Sequence, residues 1–311
     1  ESRSSPGFLP RKPRCSRSGV FFLSAFQPLP ARTHGSPRSA MPTPMVAMRE
    51  RTPITAALLA RRPCLRLLIT SGMRHAAIDV AAAKAQGVIV CGTDSHPEPA
   101  VEITWALILG LMRHLMPEAN ALRSDGPWQQ TVGRDLHGAR LGLLGVGKIG
   151  QRVAQIGQAF GMQVSAGGPN LHAPPAAAAG GQWAISQKAL FAGSEVVSLH
   201  RVLGERSPAI VDADTLACMP AHACLINTAR AGRIDQQPLI DALTDKRIAG
   251  AGLDVFDIEP LPAGHPLRTL PNVLATPPLG YVTARNYRDY FGQAVETIAA
   301  WLQGAPKRVL D

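Results

Sequence analysis

The stretch that decides the fold is Leu141-Gly142-Leu143-Leu144-Gly145-Val146-Gly147-Lys148-Ile149-Gly150. A short apolar run of strand type passes straight into a GxGxxG pattern. Val146, Ile149, Val153, Ile156 and Phe160 then recur at steps of three and four, which is the apolar stripe of a helix. Strand, glycine turn and helix in this order answer a specific need. Gly145 permits the tight turn, Gly147 lets the backbone reach a pyrophosphate, and Gly150 lets helix and strand close up, with the small Ala154 one turn further on. The phosphates then meet unpaired N–H groups at a helix N-terminus. The stretch predicts a dinucleotide-binding βαβ unit.

Working outward, the runs Gln163 to Ala166, Glu195 to Leu199, Cys224 to Thr228, Ala251 to Val255 and Val273 to Ala275 alternate with helical stretches. With Leu141 to Leu144 they make six strands joined by helical crossovers, the pattern of an α/β protein with a doubly wound parallel sheet, or Rossmann domain. Upstream, Leu65 to Thr70, an alanine-rich helix around Ala76 to Gln86, Val88 to Cys91 and an apolar helix near Val101 to Leu115 form an earlier series. The polar stretch Arg123 to Trp128 reads as the boundary between the two.

The net charge of +10 would ordinarily suggest nucleic acid as a partner. Seven bases against Glu1 place +6 of it between Glu1 and Ala47, a stretch holding eight prolines and eight serines. We read residues 1–47 as a disordered or non-native basic tail, with Met41, Met45 and Met48 as internal starts. A secretory signal, a transit peptide and a basic arm are the alternatives to that reading. No segment has the 18 apolar residues of a membrane span; the longest apolar run, Ile103 to Met112, suits a buried helix. Five cysteines at irregular spacing show neither a zinc pattern nor a disulfide framework, as expected of a cytoplasmic protein. These features predict no metal, no nucleic acid and no membrane.

A dinucleotide site also calls for an acid at the end of its second strand to hold the adenosine ribose. Val164 to Asn170 contains none and no arginine suited to a 2′-phosphate, so NAD and NADP both remain open, with Asn170 able to donate to either ribose. In a parallel sheet the chemistry gathers where strands end. His200, Thr228, Arg230 and Asp254 fall at successive strand ends, and Glu259 lies five residues beyond Asp254.

The sequence from about Met48 to Asp311 resembles the D-isomer-specific 2-hydroxyacid dehydrogenases. The resemblance rests on residues 141–150, on Ile226-Asn227-Thr228-Ala229-Arg230-Ala231-Gly232, on Gly252 to Pro262 and on Asn272 to Gly280, in that order. It implies hydride transfer between a nicotinamide and a small 2-hydroxy or 2-oxo acid. By resemblance Arg230 grips the substrate carboxylate, a bidentate task suited to guanidinium, and Glu259 pairs with the catalytic imidazole. Asp254 meets the nicotinamide carboxamide, while Gly145, Gly147, Lys148, Ile149, Gly150, His200 and Thr228 line the cofactor. Gly72 belongs to a loop whose N–H groups bind the carboxylate. The resemblance also implies a homodimer, with Trp128-Gln129 and the helix near Val101 to Leu115 at the interface.

The chain departs from the family twice. Where the family has a catalytic histidine, between Pro277 and Leu279, this sequence has Pro278. The loss of a general acid/base typically removes about 10²- to 10⁴-fold of rate, which makes a NAD(H)-binding regulatory or interaction protein the alternative to an enzyme; His200 is the one neighbouring imidazole that would have to substitute. The family's second, smaller flavodoxin-like domain begins with a strand and helix that residues 1–47 do not resemble. We therefore expect a partial substrate domain at 48–117, completed by a helix in 283–311, and a dinucleotide-binding domain at 118–282. That partial domain would expose a strand edge at Leu65 to Ile69 and aggregate.

Overall fold

The computed structural model describes residues 21–23, 42–48, 53–73, 77–168, 182–201 and 210–310. It divides into two compact units, residues 1–95 with 287–311 and residues 96–286. The first holds a parallel sheet of β1 (Phe21–Leu23), β2 (Thr43–Ala47), β3 (Leu65–Thr70) and β4 (Ile89–Cys91), in that spatial order.

This sheet corrects the expectation of an open edge at Leu65 to Ile69. β3 lies between β2 and β4, and Met45, Val46 and Ala47 stand opposite Leu68, Ile69 and Thr70. The strand that covers it comes from the stretch read as a patternless tail, and β1 adds a further strand on its far side. Pro44 explains why β2 escapes the eye: proline cannot donate to a ladder, and the register shifts between Thr43 and Pro44 to admit it. Because side chains alternate along a strand, Leu67 and Ile69 pack with Val46, Cys91 and Ala294, while Leu68 packs with Ile54, Leu59 and Val90. Ala294, Ile298 and Trp301 sit on the C-terminal helix Ala284–Leu302, as expected of a returning helix.

Among the described residues the second unit holds seven parallel strands: β5 (Arg140–Leu144), β6 (Gln163–Gly167), β7 (Gln182–Trp183), β8 (Val196–Leu199), β9 (Cys224–Asn227), β10 (Gly250–Leu253) and β11 (Val273–Ala275). Their order, β11-β10-β9-β8-β5-β6-β7, reverses beside β5, so the doubly wound reading holds with one strand more than expected. Ligands in such sheets bind beyond the strand ends at the reversal. Helices Glu98–Met112 and Lys148–Ala159 cover one face, with Val101, Trp105, Ile108, Val153 and Ala154 in a shared core. Helices Gln187–Ala192, Ala213–Ala217 and Gln236–Thr244 cover the other.

The division also moves the expected boundary. Helix Glu98–Met112 falls in the sheet unit and not with residues 48–95, because it is apolar on nearly every side: Val101, Thr104, Trp105, Leu107, Ile108 and Met112 are all buried. Asn170 lies outside the described residues.

Val46 is buried against Leu67, Ile69 and Ala294, so Val46→Ala should cost about 2 kcal/mol. Urea denaturation reads the loss. A chain begun at Met48 with full stability would show that β2 contributes nothing.

Candidate functional site

β5 ends at Leu144, and Gly145 turns the chain with φ +102°, a backbone conformation that L side chains rarely adopt. Gly147 caps helix Lys148–Ala159 without a side-chain hydrogen bond. A Cβ on Gly150 would lie 2.2 Å from the Gly145 carbonyl oxygen, so helix and turn touch through backbone alone. A Cβ on Gly147 would meet nothing within 4 Å. Among the described residues the helix start therefore faces open space, with its first N–H groups uncapped by side chains and no acid in its first turn, which fits the pyrophosphate of a dinucleotide. Of the two residues following Gly147, Lys148 is exposed, whereas Ile149 packs against the core and holds the helix in place.

His200 follows β8 directly behind this turn. Its N–H donates to Leu144 O at 3.0 Å, and its Nε2 lies 2.9 Å from Ser198 Oγ. A Cβ on Gly145 would come within 2.9 Å of Arg201 N and 3.1 Å of His200 C. Desolvation pushes the imidazole down to about 4, so the ring is neutral at physiological pH. A base that weak is a poor stand-in for a catalytic histidine.

The ends of β9 and β10 carry the remaining candidates. Asn227, 1% exposed, accepts from Ala229 N at 3.1 Å and donates through Nδ2 to Arg230 O at 2.8 Å, so a buried amide shapes the turn that presents Arg230. Arg230 is half-buried, and its guanidinium donates to Ala229 O at 2.7 Å. Thr228 Oγ1 lies 2.7 Å from Thr104 Oγ1, and Thr104 donates its single hydroxyl proton to Ala100 O at 2.7 Å. Thr228 must therefore be the donor in the pair, which leaves its oxygen as an acceptor toward any ligand.

Asp254, 2% exposed, accepts hydrogen bonds from one neighbouring segment. Its Oδ1 accepts from Thr276 Oγ1 at 2.8 Å and Leu279 N at 2.7 Å, and its Oδ2 accepts from Gly280 N at 2.8 Å. Both oxygens are thus engaged with the segment that carries Pro278, and Asp254 acts as its anchor. Glu259 accepts from Phe256 N at 3.2 Å. The glycine turn, His200, Thr228, Arg230, Asp254 and Glu259 all belong to the sheet unit, whereas Gly72 lies in the other. Gly72 has φ +95°, and its N–H is given to Thr93 Oγ1 at 3.0 Å, so anion binding by that loop would fall to its neighbours.

Three roles were missed from the sequence, that of Asn227 in presenting Arg230 among them. Thr104 lies mid-helix with no signal beyond its polarity in an apolar run, and Arg233, fully buried, donates to Arg201 O at 3.1 Å. An arginine three residues after Arg230 gives no sign of facing inward. Among the described residues no group of three or more His, Cys, Asp or Glu side chains could hold a metal ion.

Residues 105–280 match the family described as D-isomer specific 2-hydroxyacid dehydrogenase, NAD binding domain. Hydroxypyruvate reductase of Thermotoga maritima is 34% identical over 260 residues, covering 82% of this chain and 83% of its own. D-3-phosphoglycerate dehydrogenase of Bacillus subtilis is 33% identical over 83% of this chain. The match takes in 49% of that enzyme, so the chain spans about half its length. Among solved structures, phosphoglycerate oxidoreductase of Vibrio cholerae O395 matches with a TM-score of 0.79 and 37% identity, over 84% of each chain.

Two outcomes are expected. Between pH 6.5 and 4 the unfolded chain binds a proton at His200 that the fold refuses, so stability falls as pH drops through this window, by up to roughly 3 kcal/mol. Denaturation curves at pH 7 and 4.5 should show a smaller acid loss in His200→Asn; equal losses refute the assignment. Asp254→Asn keeps one carbonyl oxygen but turns an amide toward main-chain N–H donors, at a cost of about 2 kcal/mol. An unchanged urea midpoint would show that the anchor is dispensable.

Proposed function

Because the chain belongs to the D-isomer specific 2-hydroxyacid dehydrogenase family, we propose that it is an NAD-dependent oxidoreductase acting on a small 2-hydroxy or 2-oxo acid, with turnover limited by Pro278. The observation that carries the reading is the construction of one sheet end. An uncapped helix start opens beside a positive-φ glycine, and a buried asparagine presents Arg230 at a nearby strand end.

In this reading the N–H groups at Gly147 to Gly150 hold the pyrophosphate, and the Thr228 oxygen accepts a hydrogen bond from the cofactor. Arg230 orients the substrate carboxylate and draws electron density from the adjacent carbonyl. A nicotinamide bound there would supply the chemistry of hydride donation to, or acceptance from, C2 of the acid. Position 278 offers no imidazole for Glu259 to orient, so the proton must be exchanged with water. The chain works in the cytoplasm, consistent with the free thiols Cys64, Cys91, Cys218 and Cys224, and no helix among the described residues is long and apolar enough to cross a membrane. Leu115, Met116, Leu122, Trp128 and Val132 leave large apolar side chains exposed along one stretch, which supports pairing with a second copy.

Pro278 also favours a second reading, in which the protein binds NADH without turning it over. Assays of NADH oxidation with glyoxylate, hydroxypyruvate and pyruvate separate the two. Pro278→His should raise kcat about 100-fold or more if the chemistry is otherwise intact. A folded Pro278→His protein that binds NADH but oxidises none with any of the three acids leaves only the binding protein. Calorimetric silence toward NADH would remove both readings.

A further inference from the structure

The 3₁₀ turn Ala231–Arg233 follows directly after Arg230, and its last residue sends a long cationic side chain inward. Arg233 is 0% exposed and heads the largest fully buried side chains of the described residues. Burial, then the nearby guanidiniums of Arg201 and Arg230, lower its pKa to about 10, so it remains charged at neutral pH. A buried cation with two cationic neighbours is a costly way to fill space, because an apolar side chain of similar volume would pack there without desolvating a charge. Packing alone does not account for it.

One contact of Arg233 bears directly on the glycine turn. Its Nη2 donates to the main-chain oxygen of Arg201 at 3.1 Å. That residue is where the backbone after β8 presses against the glycine turn, since Arg201 N and Cα lie 2.9 and 3.0 Å from where a Gly145 Cβ would stand. His200 N–H is bonded on the other side to Leu144 O, at the end of β5. The His200–Arg201 backbone is thus pinned from two directions, by β5 and by Arg233. The turn at Gly145 rests on it.

We propose that Arg233 is a positioning residue for the cofactor: its hydrogen bond to the Arg201 carbonyl fixes the backbone that supports the Gly145–Gly150 turn and so sets the affinity for the dinucleotide. It also ties the loop that presents Arg230 to the floor of the cofactor turn. The inference rests on the dinucleotide-binding reading above and assigns it a residue outside the glycine motif.

The test is the Kd for NADH, measured by fluorescence titration well below the melting temperature, where a merely structural loss of global stability leaves the affinity of the folded protein unchanged. Arg233→Met should weaken NADH about tenfold, the scale of one well-made hydrogen bond. Arg233→Leu, a differently shaped apolar replacement, serves where Arg233→Met does not fold. Arg233→Lys keeps a charged N–H donor and should return to within about threefold of the wild type. Wild-type affinity in the folded apolar variant overturns the proposal and leaves the cofactor reading standing, as does an Arg233→Lys protein no better than the apolar one. Wild-type protein that binds no NADH removes both.

Discussion

Everything at the functional end of the sheet depends on one close approach, that of backbone to backbone around Gly145. Helix Lys148–Ala159 comes so near the turn that a Cβ at Gly150 would stand 2.2 Å from the Gly145 oxygen, and the segment after β8 comes nearly as close from the other side. Three main-chain segments meet here, with the His200 Cβ 3.4 Å from where a Gly150 Cβ would stand. Such a junction has little freedom, because shifting any one segment drives it into another or opens a void. It fixes where β5 stops and where the helix starts, and therefore where the uncapped N–H groups point. The open space beside Gly147 is what is left over.

The same crowding explains which parts of the site could be read from the sequence. A glycine required by sterics leaves a spaced signature, so the turn, the helix stripe behind it and the strand ends carrying His200, Arg230 and Asp254 were legible. Residues that act through buried polar contacts leave none. Thr104 in an apolar helix, Asn227 inside a strand end and Arg233 after a glycine become meaningful only when Thr228, Arg230 and Arg201 are brought beside them. β2 was illegible for a different reason. Its five residues include Pro44, which lowers strand propensity, and its pairing is settled by the hydrophobic faces of β3, more than twenty residues away in sequence. Helix Glu98–Met112 went to the wrong unit because an apolar helix tells that it is buried but not against what.

The charges follow a similar logic. The basic stretch before Ala47 dominates the net charge, yet the cations that matter to the site are Arg201, Arg230 and Arg233, close enough to one another to depress the pKa of the last. Like charges gathered this closely cost fold stability and would favour a bound anion, so the arrangement trades one against the other. A neutral His200 beside them adds no further positive charge at physiological pH.

Pro278 is best understood through the hydrogen bonds around it. Proline lacks an N–H, and substitution by proline is damaging where that N–H is needed. In the segment Thr276 to Gly280 the donors to Asp254 are the Thr276 hydroxyl and the N–H groups of Leu279 and Gly280. Position 278 contributes none of them. Proline at this position therefore costs the segment none of the bonds that tie it to Asp254. The carboxylate of Asp254 ties down the residues on either side of position 278, where the proline ring offers no titratable group.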